Sequence, residues 1–425
     1  MLFDPVHETV LPNGLKILAV DRSLSPTATL QVWYKVGSRH ERPGITGISH
    51  IFEHLMFKGT ERFPKGAFDR ILQDNGMSNN AFTSHDFTAY YEVLASDRLE
   101  IAMELEADRM QGLLLDPEEF RSELAVIREE RKQTREDPPY GLLMESIEAT
   151  AFTAHPYHWP IIGWMTDLET IEVEDVRRYY RDFYRPNNAV LIVVGDARPE
   201  QVVELAERHF GRIERGPEIP PLKVREPEQR GERMTSIRKA VQLPGLVLAY
   251  RSPASIAYEA KVLNVIEFLL FHGRSSRLYQ RLVYREQLAA DLGGGVQFRK
   301  DPSLFTLRAT ARPGVEVARL QDAIEDELRR LCREPVSPEE LAKARRAIEA
   351  DYLFSQESHY ELAHNLGAEE CRSSWRDYAA YLGENLRVGA EEIQAVANAT
   401  FKDSARTIGR LIPDSRAAGS AEESA

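Results

Sequence analysis

Stretches of the chain alternate polar and apolar residues, the two-residue period of β-strands that bury one face. In the first such stretch a Pro-Asn-Gly sequence, residues 12–14, predicts the turn of a β-hairpin. Aromatic and β-branched residues predict two more strands around a turn at Ser84–Asp86, and an apolar run predicts a buried strand. The predicted strands are Thr9–Leu11, Leu15–Asp21, Ala28–Val36, two within Asn80–Ala95, and one within Asn187–Asp196.

Other stretches show the helical period. From Gly47 the apolar residues are spaced three to four apart, which predicts a helix. Asp116 suits an N-cap and Pro117 suits the first helical position, so a helix is expected from there to about Thr134. Further helices are predicted at Asp97–Leu113 and Pro199–Phe210.

The order of elements predicts two similar halves. Residues 211–232 are rich in Pro, Gly and charge and show neither period, so they predict a linker between halves 1–210 and 233–413. The second half has strands in 233–253, helices in Ala257–Gln287, strands in Gly293–Thr310 and then long helices to its end. This repeats the order of the first half and indicates a divergent duplication. We expect an α+β fold of two homologous halves, each a mostly antiparallel sheet packed with helices, followed by a disordered tail at 414–425.

Composition narrows the class of protein. The 425 residues are 43% hydrophobic and 28% charged, as in folded globular proteins, and no apolar run reaches the roughly 18 residues of a membrane span. The net charge of -13, without a basic stripe, argues against nucleic-acid binding. Two cysteines without CxxC spacing, and an amino terminus without a signal-peptide pattern, favour a cytoplasmic location.

The sequence His-Ile-Phe-Glu-His at residues 50–54 carries the candidate chemistry. On a helix His50 and His54 lie about 40° apart around the axis, and Glu53 flanks them. Two imidazoles on one side of a helix can bind one Zn²⁺ ion, but a hydrolytic zinc site requires a third protein ligand and a position for water. The pattern therefore predicts an incomplete site whose third ligand lies on another element.

The acidic helix around residues 117–134 offers that third ligand. Glu123 and Glu130 lie seven residues apart, two turns along one face, so Glu130 could bind the metal while Glu123 supports the site. Glu129 and Glu123 remain alternative ligands, and a solvated helix face explains the same composition.

The HxxEH order is the inverzincin signature. Around it stand the segments Leu11–Leu18, Val36–Thr60, Asn80–Glu92, Glu123–Pro138, His155–Gly163 and Tyr184–Asp196. In their sequences and their order, these segments and the HxxEH sequence resemble the pitrilysin-like metallopeptidases, in particular the group of the mitochondrial processing peptidase β subunit and its bacterial relatives.

The resemblance implies a role for each matching residue. His50, His54 and Glu130 would bind one Zn²⁺ per chain, Glu53 would be the catalytic base, and Glu123 would support the site. Asn80, Ala81 and Phe82 would form the edge strand that binds an extended peptide substrate. The implied protein is a zinc endopeptidase that cleaves unstructured peptides or presequence-like segments in a clam-like chamber between its halves.

The second half departs from the family. Val283 and Ala290 stand where relatives carry an Arg and a Tyr that reach the substrate, and Arg281, Tyr284 or Arg285 would have to compensate. We therefore expect a homologous partner subunit that supplies the Arg/Tyr pair in a heterodimer, with a homodimer as the alternative. A non-catalytic scaffold subunit that has kept the fold is the rival function, although such scaffolds tend to lose the zinc residues.

Overall fold

The computed structural model describes residues 4–414, so the predicted tail lies outside the described residues apart from Asp414. Within this range the chain forms two β-sheets packed with helices, which confirms the α+β class. The strands are β1 His7–Val10, β2 Lys16–Asp21, β3 Thr27–Tyr34, β4 Ser78–Thr83, β5 Thr88–Ala95, β6 Ala189–Gly195, β7 Arg233–Lys239, β8 Gly245–Ser252, β9 Ala289–Val296, β10 Ser303–Ala311 and β11 Arg406–Pro413. The helices are α1 Ile48–Leu55, α2 Ala67–Asp74, α3 Leu99–Gly112, α4 Pro117–Arg131, α5 Gly141–Ala151, α6 Met165–Thr170, α7 Val173–Phe183, α8 Pro199–Phe210, α9 Tyr258–Phe271, α10 Val317–Arg333, α11 Pro338–Phe354, α12 His359–Arg372, α13 Trp375–Arg387 and α14 Ala390–Thr400.

The two sheets share one topology. The first has the order β1-β2-β6-β3-β5-β4, and the second has the order β7-β11-β8-β10-β9. If β2 to β6 are matched in sequence to β7 to β11, the orders coincide, and in each sheet one pair, β2/β6 or β7/β11, is parallel while the others are antiparallel. This repetition supports the predicted duplication.

The compact units of the chain do not coincide with the predicted halves 1–210 and 233–413. One unit comprises the chain up to residue 130 with 159–224 and 353–379, and the other comprises 131–158, 225–352 and the chain from 380 onward. Each half gives one helix to the sheet of the other half: α5 packs on β7, β8 and β11, and α12 packs on β3 and β6. The apolar side chains of Leu143 and Ile147 explain the first exchange, because they belong to a core cluster with Val247 and Leu411.

The sheet of the first unit buries one face against α1 and α3. Leu30, Val32 and Tyr34 of β3 point into a core that includes Ile51 and Phe52 of α1. The intervening β3 residue Trp33 faces the other side, where Gly367 of α12 lies so close that an added Cβ would come within 2.2 Å of the indole. Alternate side chains of β3 are thus packed on opposite faces of the sheet.

Several predicted elements are confirmed, and others require correction. The β1/β2 hairpin forms, and Asp116 caps α4 by accepting the N–H groups of Glu118 and Glu119 at 2.8 and 3.0 Å. Residues 214–231 of the predicted linker contain no helix or strand. The helices predicted within Ala257–Gln287 are α9, which ends at Phe271, and a π-helix, Tyr279–Arg285. The next strand begins at Ala289 rather than at the predicted Gly293.

The prediction that the chain finishes with helices is wrong, because β11 follows α14. The strand carries Gly409 and Arg410 in its middle, which interrupts the apolar pattern, yet it pairs between β7 and β8. Among the helices of residues 4–414, none combines the length and apolar character that a bilayer-spanning helix needs.

Candidate metal centre

Helix α1 carries the two histidines and the glutamate of the HxxEH sequence. Its apolar residues Ile48, Ile51, Phe52 and Leu55 are buried in the core. The helical period then places His50, Glu53 and His54 on the side away from that core, with His50 buried and the other two half-buried.

Helix α4 brings Glu130 to both histidines. Glu130 Oε1 lies 3.4 Å from His50 Nε2, and its Oε2 lies 3.2 Å from His54 Nε2. The two hydrogen bonds from the histidines hold the pKa of Glu130 well below its usual value, so its carboxyl group is ionised, as a metal ligand must be. Of the three glutamates that the sequence left open, the structure therefore brings Glu130 to the histidine pair.

The donor set fits a zinc ion. His50, His54 and Glu130 each offer one ligand atom, and these atoms lie within 4.8 Å of one another. Donors bound to a tetrahedral Zn²⁺ ion at about 2.0–2.1 Å lie roughly 3.4 Å apart, close to the observed histidine–carboxylate separations. Among residues 4–414, no second group of three His, Cys, Asp or Glu side chains converges in this way.

Glu123 lies on the Nδ1 side of His54. Its Oε2 is 3.3 Å from His54 Nδ1, and its Oε1 is 2.5 Å from Lys58 Nζ. In the neutral tautomer with the proton on Nδ1, shared with Glu123, the lone pair of His54 Nε2 would be available to a metal ion. Burial lowers the pKa of His54, but Glu130, Glu53 and Glu123 raise it more, and the net shift is upward.

Glu53 is placed beside the donors without joining them. Its Oε2 lies 4.0 Å from His50 Nε2 and accepts a hydrogen bond of 2.8 Å from the hydroxyl of Thr83. Thr83 is the last residue of β4, so this bond ties the candidate base to the end of a strand. The carboxylate is oriented by the protein while the metal donors remain separate from it.

The predicted peptide-binding residues lie on an open edge. Asn80, Ala81 and Phe82 belong to β4, the terminal strand of its sheet. Because Ser84 N–H donates to Phe87 O at 2.8 Å, the antiparallel alternation directs the backbone groups of Ala81 and Thr83 toward the open edge. The N–H of Ala81 is already held at 2.8 Å by Asn80 Oδ1, so its C=O is the less committed group.

Sequence reasoning missed two residues of this site, Lys58 and Thr83. Lys58 follows His54 by four positions, the spacing of residues on one helical face, and this spacing could have identified it. Thr83 directly follows the predicted peptide-binding residues, but its bond to Glu53 depends on how β4 meets α1, which no local pattern reveals.

The second unit contains a degenerate copy of helix α1. In α9, Asn264, Glu267 and Phe268 have the spacing of His50, Glu53 and His54. In the chain, α9 lies between β8 and the edge strand β9, just as α1 lies between β3 and the edge strand β4. Glu267 Oε2 accepts the N–H of Val296, the last residue of β9, at 2.9 Å, and burial raises the pKa of Glu267 to about 7. Since Asn and Phe stand in place of both histidines, this copy lacks the candidate metal donors and keeps the carboxyl group.

The residues expected to compensate for the missing Arg/Tyr pair, Arg281, Tyr284 and Arg285, all lie on the π-helix. The guanidinium of Arg281 donates to Glu286 at 2.7 Å and to Asp326 at 2.8 Å, which holds it within the second unit. Tyr284 is 70% exposed. Arg281 is therefore committed to local ion pairs.

Comparison with known proteins extends the similarity over nearly the whole chain. Residues 16–163 match the family described as Insulinase (Peptidase family M16), and residues 170–348 match the family described as Peptidase M16 inactive domain. The chain is 33% identical over 414 residues to a Helicobacter pylori protein named zinc protease PqqE, covering 96% of this chain and 93% of that one.

A second relative and a solved structure show the same chain-wide similarity. The chain is 26% identical over 417 residues to the probable mitochondrial-processing peptidase subunit beta of Arabidopsis thaliana, covering 95% of this chain and 78% of that one. A crystal structure of a protease from Helicobacter pylori superposes with a TM-score of 0.93 at 32% identity, covering 97% of this chain and 100% of that one. The likeness is thus a property of the whole fold rather than of the histidine cluster alone.

Proposed function

The chain belongs to the M16 family of pitrilysin-like peptidases, and on that premise we propose that it is a zinc-dependent endopeptidase that hydrolyses extended, unstructured peptides, presequence-like segments among them. The convergence of His50, His54 and Glu130 carries the proposal, because three donors leave a fourth position open. The name zinc protease borne by a relative at 33% identity supports zinc as the cofactor.

The chain's own residues have distinct tasks in this proposal. Zn²⁺, when bound, acts as a Lewis acid that polarises a carbonyl group and acidifies water. Glu53 takes the proton of the attacking water and returns it to the leaving amine, while the Thr83 hydroxyl, 2.8 Å away, aims its carboxylate. Glu123 keeps Nε2 of His54 directed at the donor cluster through its contact with Nδ1.

We assign the substrate to the open edge of β4. A peptide that adds a strand there forms main-chain hydrogen bonds with the outward backbone groups of Ala81 and Thr83, and its side chains alternate between the two faces of the sheet. Because Thr83 also binds Glu53, a peptide on this edge passes beside the candidate base. Only an extended segment can pair in this way, which explains the expected preference for unstructured substrates.

We further propose that a homologous partner subunit supplies the Arg/Tyr pair. Val283 and Ala290 lack the necessary groups, and Arg281 is held by Glu286 and Asp326. The relative named as a β subunit of a processing peptidase supports a heterodimer. A homodimer is the alternative arrangement.

The rival function is a non-catalytic scaffold, which the match of residues 170–348 to an inactive-domain family favours. That match covers the region of the degenerate copy in α9 and excludes His50, His54, Glu53 and Glu130. A protein retained only for assembly would have no reason to keep this set in register.

Cleavage of a fluorogenic unstructured peptide by the zinc-loaded chain tests the proposal, with and without a homologous subunit encoded by the same genome. We expect cleavage that requires the partner and disappears in Glu53→Gln. Strong activity of the isolated chain would contradict the partner proposal, and no cleavage under either condition would favour the scaffold.

A further inference from the structure

Glu41, which precedes α1 in the chain, caps the start of that helix. Its side chain is 5% exposed, its Oε2 accepts the N–H of Gly47 at 2.7 Å, and its Oε1 accepts the N–H of Ser49 at 2.9 Å. Gly47, at the N-cap position, offers no side chain, and the carboxyl group of Glu41 accepts the N–H of Gly47 and of Ser49, the second residue of α1, while the N–H of Ile48 donates to Ile45 O at 3.3 Å. Glu41 thus binds both the residue before α1 and the second residue of α1.

The same segment holds the turn at the end of β4. Ser38 N–H donates to Ser84 O at 3.2 Å, and Arg39 N–H donates to His85 O at 2.9 Å. The Ser38 hydroxyl lies 2.8 Å from His85 Nδ1. The segment Ser38–Glu41 is thus fixed to the β4/β5 turn at one end and to α1 at the other.

These contacts converge on Glu53. Thr83, which binds Glu53, directly precedes the turn that Ser38 and Arg39 hold, and Ser49 directly precedes the ligand His50. We propose that Glu41 is a positioning residue of the peptidase, which sets α1 against β4 so that Glu53 meets Thr83 and the two histidines meet Glu130. This inference rests on the proposed function and names a residue that acts through others.

Asp167 of α6 provides a matched comparison, because its carboxyl group binds the same loop before α1. Its Oδ2 accepts the N–H groups of Gly44 and Thr46 at 3.0 and 3.1 Å and the Thr46 hydroxyl at 2.6 Å, but it does not bind the N–H of Ser49. If loop rigidity were the whole effect, Asp167→Asn and Glu41→Gln would act alike. If Glu41 positions α1, their effects on catalysis separate.

The charge of Glu41 adds a second distinction. Burial raises its pKa to about 8 against the opposing N–H groups of Ser49 and Gly47, and Asp167, Tyr179 and Tyr184 are the titratable groups that face it. The side chain of glutamine resembles the protonated carboxyl group of Glu41, but it lacks the second acceptor oxygen of the ionised carboxylate. The ratio of wild-type to Glu41→Gln kcat should therefore widen as the pH rises through about 8.

The test compares the full chain, with any required partner, as wild type, Glu41→Gln and Asp167→Asn. For Glu41→Gln at pH 8.5 we expect kcat and zinc affinity to fall roughly 10-fold, KM to stay within about 2-fold, and the Gly47 and Ser49 amides to exchange hydrogen faster. Asp167→Asn should lower the melting temperature and leave kcat unchanged.

Equal loss of kcat in both variants, or a lower melting temperature in Glu41→Gln with unchanged kcat, zinc affinity and amide exchange, would overturn the assignment. If the wild type cleaves no peptide, the proposed function fails. Zinc affinity and amide exchange then still decide whether Glu41 positions α1.

Discussion

Replacement of Glu53 by glutamine distinguishes a role of this residue as the catalytic base from a role as a metal ligand. Glutamine has the length of glutamate and keeps one oxygen that can accept the Thr83 hydroxyl, now 2.8 Å from Glu53 Oε2. Its amide cannot take up a proton from water. Because Glu53 Oε2 lies 4.0 Å from His50 Nε2, outside bonding distance, the change should leave the donor set in place.

The expected loss can be estimated from the chemistry of the two residues. A positioned general base contributes about 10²- to 10⁴-fold, or roughly 3–5 kcal/mol in activation free energy, and Glu53→Gln should lower kcat by that factor. Thr83→Val removes one hydrogen bond to a carboxylate, worth about 1.5–3 kcal/mol, so its kcat should fall roughly 10- to 100-fold. Thr83→Val should thus cost less than Glu53→Gln.

The assay is peptide cleavage at saturating substrate with zinc content measured on the same samples. We expect both variants to retain wild-type zinc content. Full activity of Glu53→Gln would show that another group is the base, and loss of zinc from that variant would show that Glu53 belongs to the metal site.

Two further changes test the support of the site and the fold. Glu123→Gln should weaken zinc binding about 10- to 100-fold in a chelator competition, because His54 loses its charged partner, whereas Glu119→Gln on the same helix should bind zinc like the wild type. Gly367→Ala should lower the free energy of unfolding by about 1–3 kcal/mol in chemical denaturation, since the new Cβ would meet Trp33. The control Gly383→Ala, where an added Cβ would have no atom within 4 Å, should be neutral or slightly stabilising. Equal stabilities of the two variants would contradict the packing of α12.

Helix α1 and its histidine pair could be predicted because their signal is local. Apolar residues at helical spacing orient α1, and the same spacing puts His50 and His54 on one side. The distance from these histidines to Glu130 depends on how α4 crosses α1, so residue physics left Glu129 and Glu123 open and the family resemblance singled out Glu130. That Glu130 binds zinc stays a prediction until metal is measured.

The remaining features depend on long-range packing. The alternating strands near the amino terminus were predicted to within a few residues, but β11 was missed because its apolar pattern is broken by Gly409 and Arg410. The exchange of α5 and α12 has no sequence signal, since an apolar helix face does not state which sheet it covers. Glu41 was missed for a different reason: its partners Gly47 and Ser49 are nearby in sequence, but the conformation of the intervening loop, which no periodic pattern predicts, brings the carboxyl group to them.

The most direct test of the account is the zinc content and affinity of the purified chain beside Glu130→Ala, with the neighbouring Glu129→Ala as control. We expect about one zinc per chain in the wild type and in Glu129→Ala. For Glu130→Ala we expect a loss of affinity larger than the roughly 100-fold that removal of a supporting residue costs. Full zinc occupancy and unchanged affinity in Glu130→Ala would contradict the assignment of the third ligand, and with it the proposed metal centre.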